Sequence, residues 1–408
     1  MTALRPKLRV AMIGYGFMGA AHSHGWRTAP RFFDLPADPE LAVIVGRDAG
    51  RVEAARQKFG WTSAQTDWRR VIDDPSIDIV DICTPGDSHV EIAIAALDAG
   101  KHVLCEKPLA NSVEETERMV AAAERAAARG IRSMVGFSYR RVPAIGVARA
   151  LIAEGRLGVI RQTRAEYLQD WLVDENGPLT WRLDKSLAGS GSLGDIGAHA
   201  IDMIQHVTGT TVDAVSGTLA TFVTERPLLG DRTTSEPRGL GDGLSGVASD
   251  QRGQVTVDDA AWFTGRLSSG AIGSFEATRF ATGRKNAFRF EISGSRGAIA
   301  FDMESMNELQ FYDATAPAGE QGFTRILTTA PEHPYAANWW PVGHSLGYEH
   351  AFSHEVRDFV DDIVAGRDPE PSFADGLQVQ RVLGAIEHSA AHDSAWTPTA
   401  APTAAPTA

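Results

Sequence analysis

The first third of the chain alternates short apolar runs with longer stretches of helical spacing. Residues 10–13 form an apolar run that predicts a buried strand. Residues 40–46 predict a second strand, and residues 51–59 carry helical spacing that stops at Gly60. Residues 77–83 predict a strand ending in Thr84-Pro85-Gly86, and residues 89–99 a helix stopped by Gly100. Residues 102–105 predict a strand that runs into Glu106-Lys107-Pro108. Ser112 and Glu115 read as a capping box for an alanine-rich helix ending at Gly130. Residues 131–137 predict one more strand. Alternation of this kind implies a parallel sheet with right-handed crossovers. Ligands of such sheets lie beyond the carboxyl ends of the strands, where Thr84, Lys107 and Ser138 fall.

The pattern then changes. A helix over 149–154 is ended by Gly155 and Gly158. Strands are predicted at 159–168, 211–224, 258–267, 271–279, 286–293 and 298–302. Most alternate in polarity, as an antiparallel sheet with one solvated face would. Residues 225–256 form a long polar, glycine-rich insertion, of a length that is usually functional or disordered. The end of the chain repeats Thr, Pro and Ala and predicts disorder. The fold class is therefore an α/β dinucleotide-binding (Rossmann) domain plus an α+β domain with a large open, mainly antiparallel sheet. The domain reading is 1–138, with a C-terminal helix packing back on it, then 139–391, then a disordered tail at 392–408.

Composition narrows the partners. The 408 residues carry a formal net charge of −13, which argues against nucleic acid or an anionic membrane surface. No apolar run reaches the roughly 18–20 residues that span a bilayer. The two cysteines, Cys83 and Cys105, fall in predicted buried strands and suit a reducing compartment. The first strand begins too early to leave room for a signal peptide, so the expected location is the cytoplasm.

The candidate chemistry begins at Gly14-x-Gly16-x-x-Gly19, which follows a strand and opens a helix. The first glycine permits a tight turn, the second admits a pyrophosphate, and the third allows close helix–strand packing. The helix N-terminus offers free N–H groups to the phosphates. In NAD-binding domains an acidic residue ends the second strand. Here Gly46 takes that slot and Arg47 follows, with a guanidinium suited to a 2′-phosphate. Asp48 serves as the ribose acceptor if the strand ends later. The cofactor reading is NADP or NAD, with NADP slightly favoured.

Lys107 sits at a strand's carboxyl end, before a proline whose peptide bond is a candidate for cis. Asp195 and His199 are four positions apart, on one helix face. Asp195 could equally be the N-cap of a helix over 196–207, and His199 a satisfied core histidine. His206 reads as core or surface. Tyr167, Gln169 and Trp171 share a strand face by alternation, as a sugar site or a packed sheet would have them. Arg279, Asn286 and Tyr335 are weaker substrate candidates. His333, His344, His350 and His354 make no metal constellation, and no metal is expected.

In these residues the chain resembles the Gfo/Idh/MocA oxidoreductases, the family of glucose–fructose oxidoreductase and inositol dehydrogenase. The resemblance covers residues 10–391 and rests on five motifs. These are the glycine fingerprint, Glu106-Lys107-Pro108, Tyr139-Arg140-Arg141, Trp181-Arg182 and Asp195-x-x-x-His199. The segments at 167–171, 189–195 and 372–376 look closest to the levoglucosan-dehydrogenase type, which oxidises a pyranose hydroxyl at C3. That subgroup pulls the cofactor toward NAD. The resemblance implies Lys107 as acid/base, with Asp195 and His199 orienting the hydroxyl. It implies cofactor contacts from Gly14, Gly16, Phe17, Met18, Gly19, Gly46, Arg47, Asp48, Thr84, Pro85, His89, Glu106, Lys107, Trp181 and Arg182. It implies substrate contacts from Lys107, Tyr139, Gln169, Trp171, Asp195 and His199, with one of Arg140 and Arg141 bracing the site or the neighbouring helix. The implied substrate is a pyranose, anhydrosugar or cyclic polyol, and the implied assembly a homodimer or homotetramer through the second domain's sheet. The alternatives are an NADPH-dependent keto-sugar reductase, a lyase working through a transient 3-keto sugar, and a non-catalytic dinucleotide sensor. The last would have no use for Lys107, Asp195 and His199 together.

Overall fold

The computed structural model describes residues 5–229 and 248–400. The chain divides into two compact units.

One unit holds the chain up to Arg141 together with Gly347–Leu377. Its six strands are β1 (Lys7–Ile13), β2 (Asp38–Val45), β3 (Ser63–Gln65), β4 (Ile79–Ile82), β5 (His102–Cys105) and β6 (Ser133–Val135). They pair in parallel in the order β3-β2-β1-β4-β5-β6. The order reverses between β1 and β4, the usual place for a dinucleotide. Val10, Ala11, Met12, Ile79 and Val80 are all 0% exposed. These strands therefore read as continuous apolar runs, because both faces are covered. The connecting helices are α1 (Phe17–Phe32), α2 (Ala49–Phe59), α3 (Trp68–Ile72), α4 (His89–Asp98) and α5 (Val113–Ala127). Ser112 caps α5 by accepting the Glu115 N–H at 3.2 Å, as its sequence predicts.

The second unit contains α6 (Pro143–Ala153), β7 (Ile160–Leu168), α7 (Lys185–Ala188), α8 (Ala198–Thr208) and β8 (Val212–Ala220). The strands β9 (Glu225–Leu229), β10 (Ala248–Gln254), β11 (Ala260–Leu267) and β12 (Ile272–Thr278) follow. Next come β13 (Ala287–Gly294), β14 (Gly297–Asp302), β15 (Glu308–Asp313), β16 (Phe323–Leu327) and, near the end, β17 (Thr397–Pro398). Nine of these strands form one sheet, ordered β16-β15-β14-β13-β7-β12-β11-β8-β17. All its pairs are antiparallel except β7–β12. A parallel sheet in one unit and a mainly antiparallel one in the other is the fold class expected from the sequence.

Three expectations need correction. The helix expected at 149–154 begins at Pro143, because proline at the first helical position is a start signal. The tail expected to be disordered from 392 is ordered as far as the structure describes it. Thr397 and Pro398 pair with Val215 and Ala214 at the edge of β8. Thr399 donates to the carbonyls of Asp213 at 3.0 Å and Val212 at 2.9 Å. An open sheet edge supplies partners that composition alone does not reveal. Residues 401–408 lie outside the described residues. The insertion at 225–256 is likewise structured at both ends, where β9 and β10 pair antiparallel; residues 230–247 lie outside the described residues.

Two long helices close the chain, α9 (Tyr348–Ala365) and α10 (Phe373–Ala391). Within the first unit, α9 packs along α1. A Cβ at Gly25 of α1 would lie 2.8 Å from the Phe352 carbonyl oxygen of α9, so only glycine permits this approach. Among the described residues no helix is long and apolar enough to cross a membrane.

Candidate active site

The three fingerprint glycines have three separate physical reasons. Gly14 adopts φ +107, and a Cβ there would lie 2.5 Å from the Cys83 carbonyl oxygen. A Cβ at Gly19 would overlap the Gly14 carbonyl, so α1 leaves β1 at close quarters. Gly16 faces open space, with nothing within 4 Å of its would-be Cβ. It precedes α1, whose first N–H groups receive no side-chain cap. An exposed, uncapped helix start beside an open glycine fits a pyrophosphate. Phe17 (41% exposed) and Met18 lie on the same first turn.

The second strand ends at Val45, so Gly46 does stand in the acidic slot. A Cβ there would overlap the Tyr15 ring, which explains why no acidic side chain occupies it. Arg47 is exposed. Asp48 accepts the Arg51 N–H at 2.9 Å and caps α2, so one of its oxygens is committed.

The loops after β4 and β5 carry the next cofactor-contact candidates. Thr84 accepts a hydrogen bond from Ser88 Oγ at 2.7 Å, and Pro85 precedes the short turn Gly86–Ser88. The buried His89 ring places Nε2 2.8 Å from the Thr84 carbonyl and Nδ1 3.1 Å from the Pro108 carbonyl. Burial lowers its pKa. His89 therefore ties these loops together. Glu106 is only 4% exposed. Its Oε1 lies 2.9 Å from His22 Nε2, and its Oε2 accepts the Lys107 N–H at 3.0 Å. His22 Nδ1 meets Asp81 at 3.0 Å, and Trp26 Nε1 donates to Asp81 at 2.6 Å. Burial is the largest single influence on His22 and opposes its charge, but Asp81 and Cys83 together outweigh it and hold the pKa well above its usual value. The sequence reading missed this His22–Asp81–Glu106 network, which underlies the backbone of half-buried Lys107. The Lys107–Pro108 bond is cis.

Tyr139 is buried against Tyr348, with the ring centroids 6.1 Å apart. Arg140 lies 3.6 Å from Asp375. Buried Arg141 meets Asp358 at 2.9 Å and donates to the Glu370 carbonyl at 2.7 Å. Arg141 thus braces α9, while Arg140 meets Asp375 of the last helix, Phe373–Ala391.

The second unit brings most of the remaining candidates into one polar cluster. Tyr167 Oη and Gln169 Nε2 both donate to Asn286 Oδ1, at 2.7 and 2.9 Å. Trp171 Nε1 donates to Gln169 Oε1 at 2.9 Å. β7 ends at Leu168, so side-chain hydrogen bonds carry this face past the strand. The His199 ring lies 6.0 Å from that of Tyr167. Asp195 does not cap a helix: it sits inside a π-turn, Leu193–Gly197, that leads into α8. Arg279 is 0% exposed. Its Nη1 lies 3.7 Å from Asp195 Oδ2, its Nη2 donates to the Asp258 carbonyl at 3.1 Å, and Trp171 covers it at 5.3 Å.

Asp258 is a residue that sequence reasoning missed. Its carboxylate accepts the Gly191 N–H at 2.7 Å, Ser192 Oγ at 2.7 Å and the Leu193 N–H at 2.8 Å. It thereby fixes the start of the π-turn. Trp181 and Arg182 lie on the short turn Trp181–Leu183, with the guanidinium 4.5 Å from the indole. Tyr335 stands at φ 65, before the turn Ala336–Asn338. His206 is half-buried in the last turn of α8.

Comparison with known proteins agrees with both units. Residues 8–136 match the oxidoreductase family with an NAD-binding Rossmann fold, and residues 146–300 the GFO/IDH/MocA C-terminal domain. The chain belongs to the GFO/IDH/MocA oxidoreductase family. Levoglucosan dehydrogenase from Pseudarthrobacter phenanthrenivorans is 44% identical over 391 residues, covering 95% of this chain and 97% of that protein. The crystal structure of an oxidoreductase domain protein from Kribbella flavida superposes with a TM-score of 0.90 at 58% identity, over 97% of this chain and 100% of that one. Levoglucosan dehydrogenase in complex with NADH and levoglucosan superposes with a TM-score of 0.88 at 42% identity, over 97% of this chain and 100% of that one. The chain is thus an oxidoreductase with an NAD-binding domain.

Proposed function

We propose that the protein oxidises a secondary hydroxyl of an uncharged cyclic sugar, of the levoglucosan type, using NAD. The observation that carries this reading is the Tyr167–Asn286–Gln169–Trp171 cluster beside His199, in a chain 44% identical to levoglucosan dehydrogenase. Amides and a phenol hydrogen-bond hydroxyls, and an indole stacks on a sugar face. Asp195 and His199 hold the reacting hydroxyl. Lys107 accepts its proton and returns it in the reverse direction. Gly14, Gly16 and the first turn of α1 hold the pyrophosphate, and Trp181-Arg182 the nicotinamide end. When bound, the nicotinamide supplies the hydride acceptor. The exposed face of the large sheet, with Trp262 at 39% and Ile272 at 44%, supports a homodimer or homotetramer.

The test is a panel of pyranoses, anhydrosugars and inositols, offered with NAD and NADP and followed by absorbance of the reduced cofactor. Turnover of levoglucosan with NAD is expected. No turnover of any sugar, in either direction, overturns the reading.

Two further outcomes are expected. Asp195→Ala and His199→Ala each lower kcat about tenfold or more while the melting temperature holds. A lowered melting temperature at unchanged kcat would make them structural. For cofactor choice, exposed Arg47 after Gly46 gives NADP a foothold beside NAD. Arg47→Ala should weaken NADP by about 1.5–3 kcal/mol, the scale of a charge-assisted hydrogen bond, and leave NAD unchanged. Equal NADP affinity in titrations of wild type and variant would show that Arg47 makes no such contact.

A further inference from the structure

The insertion after β8 takes no part in the chemistry above, yet it carries a fully buried arginine. Arg226 of β9 is 0% exposed. Burying a guanidinium is costly unless its donors are met. Both terminal nitrogens of Arg226 are met by backbone carbonyls of a single loop, while its buried Nε has no hydrogen-bond partner among the described residues. Nη2 donates to Leu172 at 2.6 Å, and Nη1 to Asp174 at 2.7 Å and Gly177 at 3.4 Å. All three follow directly after Trp171. The Phe280 ring lies 5.9 Å from the guanidinium.

The rest of the hairpin grips the same loop further along. The Leu179 N–H donates to the Pro227 carbonyl at 2.7 Å, and the Thr256 N–H to the Leu183 carbonyl at 3.0 Å. Leu172, Leu183, Val255 and Val257 form a small apolar core, against which Trp171, Leu179 and Phe280 pack. Residues 172–183 contain no strand or α-helix, only the short turn Trp181–Leu183. Their backbone groups therefore need partners from elsewhere, and the insertion supplies them.

We propose that the β9–β10 hairpin is a buttress for the sugar site, and that Arg226 is a positioning residue that sets the sugar KM by fixing the loop behind Trp171. The proposal rests on the reading of Trp171 as a sugar contact. Arg226 grips the Trp171 end of the loop, whereas the Trp181-Arg182 end is held through Pro227 and Thr256. Its loss is therefore felt by the sugar and not by the dinucleotide.

The experiment compares Arg226→Leu, Arg226→Lys and Trp171→Ala, using levoglucosan and NAD, with NADH affinity and melting temperature measured in parallel. Lysine keeps the charge but lacks the fork that spans three carbonyls. Both Arg226 variants are expected to raise the sugar KM, leucine by about tenfold or more, with NADH affinity within about twofold of wild type. In a Trp171→Ala background, Arg226→Lys is expected to raise KM no further, because both act through one contact. If the leucine variant does not fold, the lysine variant alone decides. A wild-type KM in Arg226→Lys, with only the melting temperature lowered, overturns the proposal. An unchanged KM in Trp171→Ala overturns the site reading itself, and the buttress with it.

Discussion

Lys107→Ala is expected to lose roughly 10²- to 10⁴-fold in kcat, the usual contribution of a general acid–base group. Dinucleotide affinity should stay close to wild type. Lys107 lies two residues past the end of β5, at the carboxyl edge of the parallel sheet where ligands of this architecture bind. Its backbone is fixed independently of its side chain, since Glu106 accepts the Lys107 N–H at 3.0 Å and is itself anchored by His22. Truncating the side chain therefore removes the amine and leaves the loop in place. Lys107→Arg is the sharper control: it keeps a cation but holds its proton at any working pH. Steady-state rates and an NADH titration on the two variants check this. Activity above about a tenth of wild type in either would assign the proton transfer to another group.

The parts of this molecule that could be read from the sequence are those where one local signal has one meaning. β1, β2 and β5 were legible because a doubly covered parallel strand is a bare apolar run. Gly14, Gly16 and Gly19 were legible because a strand, a tight turn and a helix leave few other residues possible there. The signal failed where a residue's partner is remote. Asp81 lies inside an apolar run and is 0% exposed, tolerated only because His22 and Trp26 from α1 satisfy it. Glu106 follows a strand end, and its pairing with His22 of α1, 84 residues away in sequence, leaves no local signal. A Gly-Asp step before helical spacing looks the same whether the aspartate caps the helix or sits inside a π-turn. Arg279 at a strand end reads as a weak substrate candidate, and its buried pairing with Asp195 and the Asp258 carbonyl has no local signal. The tail from 392 was misread because low complexity says nothing about a free sheet edge nearby.

Asp258 is the residue through which these remote effects reach the site, and Asp258→Ala is expected to damage stability and rate together. Its carboxylate is the acceptor for three donors, the Gly191 and Leu193 N–H groups and Ser192 Oγ. All four residues are buried, so no water replaces the lost acceptor. An unsatisfied buried donor costs about 1–3 kcal/mol, and losses within one network do not simply add, so a total of about 3–5 kcal/mol is expected. For a chain of 408 residues that lowers the melting temperature by roughly 4–6 °C. The rate falls for a separate reason. The Asp195 N–H bonds to the Gly191 carbonyl at 3.0 Å, so the turn carrying Asp195 is built on the residue that Asp258 holds. Gly191 has no freedom to compensate, since a Cβ there would overlap the Asp258 carbonyl. Asp258→Asn separates the two effects. It keeps one carbonyl oxygen but turns an amide toward a donor, so it should fall between wild type and alanine in melting temperature and in kcat alike. Thermal unfolding and steady-state kinetics on both variants provide the check. A kcat that stays at the wild-type value while the melting temperature drops would show that Asp195 keeps its place without Asp258, and that the two halves of this argument are independent.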